Sequence, residues 1–397
     1  MLIARDTELY LINGARTPFG TYGGSLKNVD AVTLATVAAQ GALERSGVPA
    51  DVIDLTVVGG VLPSTPDFAY LSRHIALNVG IHIEADSLTV NRLCGSGLQA
   101  VVSAAHALMM GDGQAALAGG TENMSQAPFA LRNSRWSIKN GTPELDDTVQ
   151  STLTDLGCGL GMGMTAENLA ERYHIPREQQ DQFAALSHAR AAEARSKGIF
   201  AEEIVPVPVM NRGKSSFIEA DEHIRPETTG ETLARLKPVF KQSGTVTAGN
   251  SSGINDGAAM LVVATGDFVR AHGLKPMARI VSYGVAGVDP AVMGIGPVPA
   301  SHKALERAGL DIEDVGRVEI NEAFAAQYLA VEQSLRLNRE ITNVHGGAIA
   351  LGHPVGASGA RLLLTMMHEL NRASVHYGLV SLCIGGGQGI AMVIETV

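Results

Sequence analysis

Four stretches of this chain set nucleophilic, imidazole and amide side chains among glycines. Cys94 lies in V-N-R-L-C-G-S-G-L-Q-A (90–100), Asn321 in V-E-I-N-E-A-F-A-A-Q (318–327), His353 in N-V-H-G-G-A-I-A-L-G-H-P-V-G-A-S-G-A-R (343–361) and Cys383 in S-L-C-I-G-G-G-Q-G-I (381–390). The run before Cys94 reads as a strand, its glycines as a tight corner, and the alanine-rich residues after it as a helix. A helix start offers unpaired N–H groups and a positive dipole end, so a thiol at this corner is expected to ionise easily. The plain alternative is a small buried apolar residue, the role of most free cysteines. Equally plain readings exist for His353 as a hydrogen-bonded structural residue, for Cys383 as a buried thiol and for Asn321 as a helix cap. In one cleft, however, the four define a chemistry. A thiolate formed against His353 attacks a carbonyl to give a thioester, and a second thiol moves protons to and from a thiol or an activated carbon acid. Glycine-corner N–H groups, with a water held by Asn321, stabilise the oxyanion. The sum is acyl transfer through thioesters.

A repeat supplies the reason for them to meet. A-L-E-R-S-G-V-P-A-D-V-I-D at 42–54 returns as A-L-E-R-A-G-L-D-I-E-D-V-G at 304–316, an offset of 262 residues (304 against 42). The same offset lays V-V-G-G (57–60) over E-I-N-E (319–322) and L-C-G-S-G (93–97) over V-G-A-S-G (355–359). Each half runs helix, strand, longer connection, glycine corner, helix and apolar strand. This alternation predicts two α/β units with largely parallel sheets, one from residues 1–120 with 246–275 and the other from 276–397. The four residues then fall at equivalent sheet ends. Residues 121–245 have a different texture and read as an inserted loop domain covering the cleft, because ligands sit at the carboxyl ends of such strands. An excursion unrelated to ligand is the alternative.

Composition narrows the classes. With 397 residues, 45% hydrophobic and 18% charged, the chain is long enough and apolar enough for two or more cored domains. Forty-five glycines against 4% aromatics suit close helix–sheet packing and tight turns. A net charge of −10 argues against nucleic acid and anionic membranes as partners, and no apolar run in the sequence reaches a spanning length. Three cysteines, without C-x-x-C or H-E-x-x-H, give neither a disulfide framework nor a metal site and point to a reducing compartment. The amino-terminal residues read as a strand entering a turn, without a signal-peptide core or an Arg-rich presequence, so a cytoplasmic location is expected.

Together the four segments resemble the thiolase family, the acetyl-CoA acetyltransferases and 3-ketoacyl-CoA thiolases. The resemblance runs from N-G-A-R-T-P-F-G (13–20) through G-T-V-T-A-G-N-S-S-G-I-N-D-G-A-A (244–259) and M-G-I-G-P-V-P-A (293–300) to I-G-G-G-Q-G-I (384–390). It implies an α/β fold of two duplicated halves in five αβαβα layers with an inserted loop domain, usually as a homodimer or homotetramer. It also implies Cys94 as the acylated nucleophile, His353 as the residue that activates it and donates to a first oxyanion hole, Asn321 as the holder of that hole's water, and Cys383 as the general acid/base. The N–H groups of Cys94 and Gly385 are implied to form a second oxyanion hole. Ser252 matches a pantetheine contact, Arg225 a residue near the adenine end of coenzyme A, and Met162, Phe240, Ala248, Met293 and Phe324 pocket walls; core packing is the alternative for each wall.

The implied reaction is ping-pong cleavage of a 3-ketoacyl-CoA by free coenzyme A, or the reverse condensation of acetyl-CoA, with coenzyme A thioesters as substrates and no cofactor or metal. An acetyl-CoA acetyltransferase (acetoacetyl-CoA thiolase) is the leading reading. The alternatives are a broader-range 3-ketoacyl-CoA thiolase of fatty-acid β-oxidation and a non-catalytic coenzyme A-binding scaffold. Condensing enzymes of the ketoacyl synthase type rely on histidines with a single cysteine, and the glycine runs here lack the G-x-G-x-x-G spacing of a dehydrogenase. Two positions depart from the family. Gly161, in G-M-G-M-T-A-E-N, stands where short-chain biosynthetic members carry histidine, which weakens that assignment. His345 stands where N-x-N-G-G is usual, either behind His353 or, as favoured here, at the surface. R-N-S-R-W-S-I-K-N-G (132–141) falls where the family carries a tetramer loop, and a solvated basic face explains it equally well.

Overall fold

In the computed structural model, which describes residues 7–136, 144–211 and 213–397, the first half opens with β1 (Leu9–Arg16) and α1 (Ala31–Ser46). Asp30 caps α1 by accepting the Thr33 N–H, and Gly47, at φ 65°, ends it as a left-handed residue that glycine adopts without strain. Then come β2 (Leu55–Gly59), α2 (Leu71–Asn78), β3 (Asp86–Val90), α3 (Ser96–Met110) and β4 (Ala115–Asn123). The intervening segment holds short hairpins and two long helices, α4 (Met162–Arg172) and α5 (Arg177–Ser196), before β5 (Asn255–Thr265) rejoins the sheet. The second half has β6 (Ala278–Gly287), α6 (Pro297–Ala308), β7 (Arg317–Ile320), α7 (Ala325–Leu335), α8 (Ser358–Ala373), β8 (Tyr377–Ile384) and β9 (Gln388–Glu395).

The repeat is visible in these bounds: β2, α3 and β4 begin at 55, 96 and 115, and β7, α8 and β8 at 317, 358 and 377. The strand order is β7-β8-β9-β6-β1-β5-β4-β2-β3, with the second half's order mirrored in the first about the β6–β1 junction. That junction is thin, joined through Tyr10–Arg279 and Leu11–Ala278. The expected largely parallel sheets are instead mixed. β2 runs parallel to β3 and β4, and β7 to β8. However, β5 is antiparallel to β1 and β4, and β9 is antiparallel to β6 and β8. The cause is connection length: β8 returns as β9 through the glycine turn at 385–387, and a tight hairpin joins only antiparallel strands.

Burial divides the chain into five layers. One core, containing Leu98, Val101 and Leu108 of α3 and Leu362, Leu363 and Met366 of α8, lies between the inner faces of the two half-sheets. A second packs α1 and α2 on the outer face of the first half-sheet, and a third packs α6 and α7 on the outer face of the second. Because the strands are covered on both faces, β5 is buried along its whole length and reads as a continuous apolar run. The stretch Leu93–Met110 is long and apolar enough by length and composition to cross a membrane, contrary to the sequence reading. Its apolarity has a different use, since α3 is a central helix enclosed by two sheets.

Two contacts fix the site's framework. At Gly97 an added Cβ would lie 2.8 Å from the Gly356 carbonyl oxygen and 2.8 Å from the Ala360 nitrogen, and at Gly359 one would lie 2.4 Å from the Leu98 nitrogen. The starts of α3 and α8 therefore touch backbone to backbone. The second is Arg16, fully buried at the end of β1, which donates to both carboxylate oxygens of Asp221 at 2.8 and 3.0 Å and to Glu203 at 2.8 Å. These bonds tie the intervening segment to the first half-sheet. Replacing Gly359 with Ala is expected to cost about 3 kcal/mol by overpacking against rigid backbone. Urea unfolding checks this, and a variant with the parental midpoint would show that the two helices have slack at this crossing.

Candidate active site

The corner at Cys94 is strained and locked. Leu93 has φ 48°, a left-handed conformation that carries on the order of 1–3 kcal/mol of strain for a side-chain-bearing residue. Hydrogen bonds hold it there: the Leu93 N–H donates to Asn91 Oδ1 at 2.9 Å, the Arg92 N–H to Ser96 Oγ at 2.8 Å, and the Ser96 hydroxyl to the Leu93 carbonyl at 2.7 Å. A short 3-10 turn, Leu93–Gly95, then leads into α3. Gly95 has no room for a side chain, because a Cβ would meet Ile384 at 2.6 Å, so the corner is pressed onto the end of β8.

The expectation that Cys94 ionises easily is wrong for the free protein. Its thiol accepts the backbone N–H of Gly385 and its own N–H, both of which favour the thiolate, yet burial outweighs them and Glu122 adds to it, so the thiol is pushed up to about 11. The residue keeps partial exposure toward a cavity. Desolvation of an anion dominates here over the helix-start donors.

His353 is buried on the loop before α8. Its Nδ1 lies 2.6 Å from Ser358 Oγ, and the Ser358 hydroxyl donates to the Pro354 carbonyl at 2.8 Å. Since that hydroxyl hydrogen is already used, the network assigns the ring proton to Nδ1 and leaves a lone pair on Nε2. Nε2 lies 3.4 Å from Asn321 Nδ2. Burial, reinforced by Arg361, lowers the imidazole to about 4, so it is a neutral base at pH 7. Asn321 is fully buried, and its Oδ1 has no hydrogen-bond partner among the described residues. Cys383, fully buried near the end of β8, packs with Met293 and Ala323. Its thiol is pushed far above the usual range by burial and then by Cys94.

A cavity of about 600 Å³ opens between the sheet ends and the intervening segment. Cys94 and His353 line it together with Met162, Arg225, Phe240, Ala248, Ser252, Met293 and Phe324. Phe240 and Phe324 meet edge to face at 6.2 Å and form an apolar wall. Gly163 cannot carry a side chain, since a Cβ would lie 2.3 Å from the Phe240 ring. Asn321, Cys383 and Gly385 lie outside the lining: Asn321 reaches it through His353, Gly385 through its N–H on Cys94, and Cys383 sits beneath Met293 and Ala323. His345 does not back His353. Nor does it sit at the surface as favoured: it bonds Glu369 at 2.7 Å and Arg372 at 3.2 Å in a largely buried ion network beside α8. Of R-N-S-R-W-S-I-K-N-G, residues 137–141 fall outside the described residues, and Trp136 is exposed.

Sequence reasoning missed Ser358, the partner that sets the tautomer of His353, and Asn255, whose Oδ1 accepts the His353 backbone N–H at 3.0 Å. Ser358 had a signal, because the repeat lays it over Ser96, and both serines close their corners by donating to a backbone carbonyl. Missed too was a pair of cavity-lining imidazoles, His188 and His223. Their rings stack at 6.4 Å, and His188 Nδ1 accepts the Arg225 N–H at 3.2 Å. No local pattern marks them, since they come from α5 and a distant loop.

The arrangement is a neutral thiol and a neutral imidazole lining one cavity, with backbone donors aimed at the sulfur. Alkylation of Cys94 by iodoacetamide is accordingly expected to rise about tenfold per pH unit from 7 to 10, as it must below the pKa of a reacting thiol. Mass spectrometry of the Cys94 peptide reads this, and a plateau below pH 8 would mean that the thiolate already exists at rest.

Known proteins resemble this chain along its whole length. Residues 9–267 match the thiolase N-terminal domain and residues 274–396 the thiolase C-terminal domain. The chain is 49% identical over 388 residues to the mitochondrial 3-ketoacyl-CoA thiolase of Rattus norvegicus, covering 98% of each protein. It is 46% identical over 393 residues to the acetyl-CoA acetyltransferase of Syntrophomonas wolfei, covering 98% of this chain and 99% of the relative. The crystal structure of human mitochondrial 3-ketoacyl-CoA thiolase superposes with a TM-score of 0.96 at 47% identity, covering 98% of this chain and 99% of the other. A duplicated five-layer fold, a thiol and a neutral imidazole lining one cavity, and relatives matched end to end in both domains lead to one assignment: this chain belongs to the thiolase family and is an acyltransferase.

Proposed function

We propose that this thiolase cleaves 3-ketoacyl-CoA esters of several chain lengths, acetoacetyl-CoA among them, through an acyl-Cys94 intermediate, and runs in reverse as an acetyl-CoA acetyltransferase. The observation that carries the mechanism is that His353, whose Nε2 is left without a proton, lines the same cavity as a thiol that already receives the Gly385 N–H. Cys94 gives its proton to Nε2 as its sulfur attacks the keto carbon; the N–H groups of Cys94 and Gly385 take the oxyanion at that carbon, and the imidazole with a water on Asn321 takes the thioester oxygen on which enolate charge develops. The bond between C2 and C3 breaks, its electron pair leaves as the acetyl-CoA enolate, and Cys383 protonates C2. A thiol with so high a pKa keeps its proton until a carbanion-like base forms, the match that efficient proton transfer needs. The Cys383 thiolate then takes the proton of incoming coenzyme A, whose sulfur attacks acyl-Cys94 while the N–H groups of Cys94 and Gly385 hold the carbonyl oxygen. Cys94 leaves and recovers its proton. Each step uses proton transfer and carbonyl addition, so the proposed chemistry calls on no metal or redox cofactor.

The broad range rests on Gly161. It lines the cavity, and a Cβ there would meet nothing closer than the Leu153 carbonyl oxygen at 3.8 Å, so the wall beside it is open. Relatives named both 3-ketoacyl-CoA thiolase and acetyl-CoA acetyltransferase support a range that includes the short substrate. The working assembly is proposed as a homodimer or homotetramer, supported by the exposed Leu88 on edge strand β3 and by Phe129 and Leu145 on a protruding hairpin. Both thiols must stay reduced, which suits a cytoplasmic setting.

Thiolysis assays from acetoacetyl-CoA to a long-chain 3-ketoacyl-CoA test the range, and activity confined to acetoacetyl-CoA would refute it. Cys94→Ser is expected to lose at least about 10³-fold in turnover, as removal of a covalent nucleophile does; near-parental turnover would sink the acyl-Cys94 intermediate. Gly161→His is expected to lower the rate with 3-ketooctanoyl-CoA about tenfold relative to acetoacetyl-CoA by filling the open wall. An unchanged ratio would remove Gly161 from selectivity.

A further inference from the structure

Glu122, at the end of β4, is fully buried, and no step above uses it. Its Oε1 accepts the Leu62 N–H at 3.0 Å, and its Oε2 accepts the Val61 N–H at 3.2 Å and the Gly356 N–H at 3.0 Å. These donors belong to the two sides of the active site. Leu62 packs with Met124, Val149 and Val355 in the small cluster against which Cys94 rests. Gly356 lies between His353 and Ser358 on the loop that carries the imidazole. The carboxylate is therefore a single clamp between the wall behind the nucleophile and the loop that carries the base.

The surroundings leave this clamp little freedom. A Cβ on Gly356 would lie 2.4 Å from the Thr121 carbonyl oxygen and 2.9 Å from Glu122 Oε2, so the backbone at 356 is wedged into the first half-sheet and held there by the carboxylate. Among the described residues all three partners are donors, so a carboxyl proton would find no acceptor and the hydrogen-bond set fits the anion. Burial pushes the group the other way, up to about 8, and Asp256 on β5 adds to that push. The titratable groups that couple to it are Asp256 and the neutral Cys94 thiol, with Ser125 donating to Asp256 through two hydrogen bonds at 2.6 and 2.9 Å.

We propose that Glu122 is a positioning residue for the acyl-transfer reaction: its carboxylate holds the His353 loop in register with the Cys94 corner. This rests on the reading of Cys94 and His353 as the reacting pair. Near-attack geometry is sensitive enough that a misplacement of about 1 Å costs about 10²-fold in rate, so the effect belongs in turnover and not in coenzyme A binding. The charge leaves its own signature, because a nearby anion raises the pKa of a thiol.

Two variants separate reach from charge. Glu122→Gln keeps the length and removes the charge, whereas Glu122→Asp keeps the charge and falls short of one loop. Both are expected to lose at least about tenfold in kcat with KM for coenzyme A within about twofold. Iodoacetamide labelling of Cys94 at pH 8 is expected to be about threefold faster in Glu122→Gln, through a lower thiol pKa, and unchanged in Glu122→Asp. A merely structural loosening would speed labelling in both and would overturn the proposal. So would parental kcat in either variant, or a loss carried by KM. If Glu122→Gln does not fold, Glu122→Asp alone decides through kcat and labelling. Labelling does not depend on Cys94 being the catalytic nucleophile, so failure of the clamp and failure of the acyl-Cys94 reading are distinguished by Cys94→Ser.

Discussion

The start of α3 and the start of α8 approach so closely at Gly97 and Gly359 that a methyl group on either would lie inside a neighbouring backbone. That contact sets the position of the Cys94 corner against the His353 loop. Each helix begins at the carboxyl edge of its half-sheet, one just after Cys94 and the other just after the His353 loop, so bringing the helix starts together brings the thiol and the imidazole together. Two half-sheets stacked without this crossing would bury the same apolar area and have two separate corners.

Duplication gives a scaffold of near two-fold symmetry, but the site on it is asymmetric. The offset of the repeat lays Cys94 over Gly356, His353 over Asn91, Asn321 over Gly59 and Cys383 over Thr121. In the proposed mechanism the first half supplies the nucleophile, and the second supplies the base, the amide and the second thiol. Steric demand explains part of the difference. Gly356 has no space for a side chain because its corner is wedged against β4, whereas Cys94 faces an open cavity. Asn91 serves geometry instead, by holding the left-handed Leu93 in place.

Burial governs the electrostatics of the site. Burial raises both thiols and lowers His353, so the resting protein carries neutral groups where an exposed site would carry an ion pair. A neutral nucleophile is slow with solvent-borne reagents. Once a thioester occupies the cavity, backbone N–H groups and a neutral imidazole are ready to meet charge as it develops, with no ion pair to reorganise first. The same burial that suppresses the thiolate at rest strengthens every donor aimed at the oxyanion.

Much of this was legible in the sequence. The repeat fixes the order and spacing of the elements, the glycine-flanked segments mark the loops, and the motif set identifies the family, because each depends on local spacing that survives in one dimension. The mixed sheet was not legible, since strand direction follows from how a chain returns after an insertion or a hairpin. Neither was the protonation of Cys94. Residue type and a helix start argue for a thiolate, and only the surrounding apolar wall, assembled from distant segments, reverses that. Asn255 and Glu122 were silent for the same reason: their work is done by hydrogen bonds between residues 98 and 234 positions apart. Sequence determined which groups are present and that they share a fold of two halves; tertiary structure decided their charge and their alignment, because desolvation and contact depend on neighbours in space.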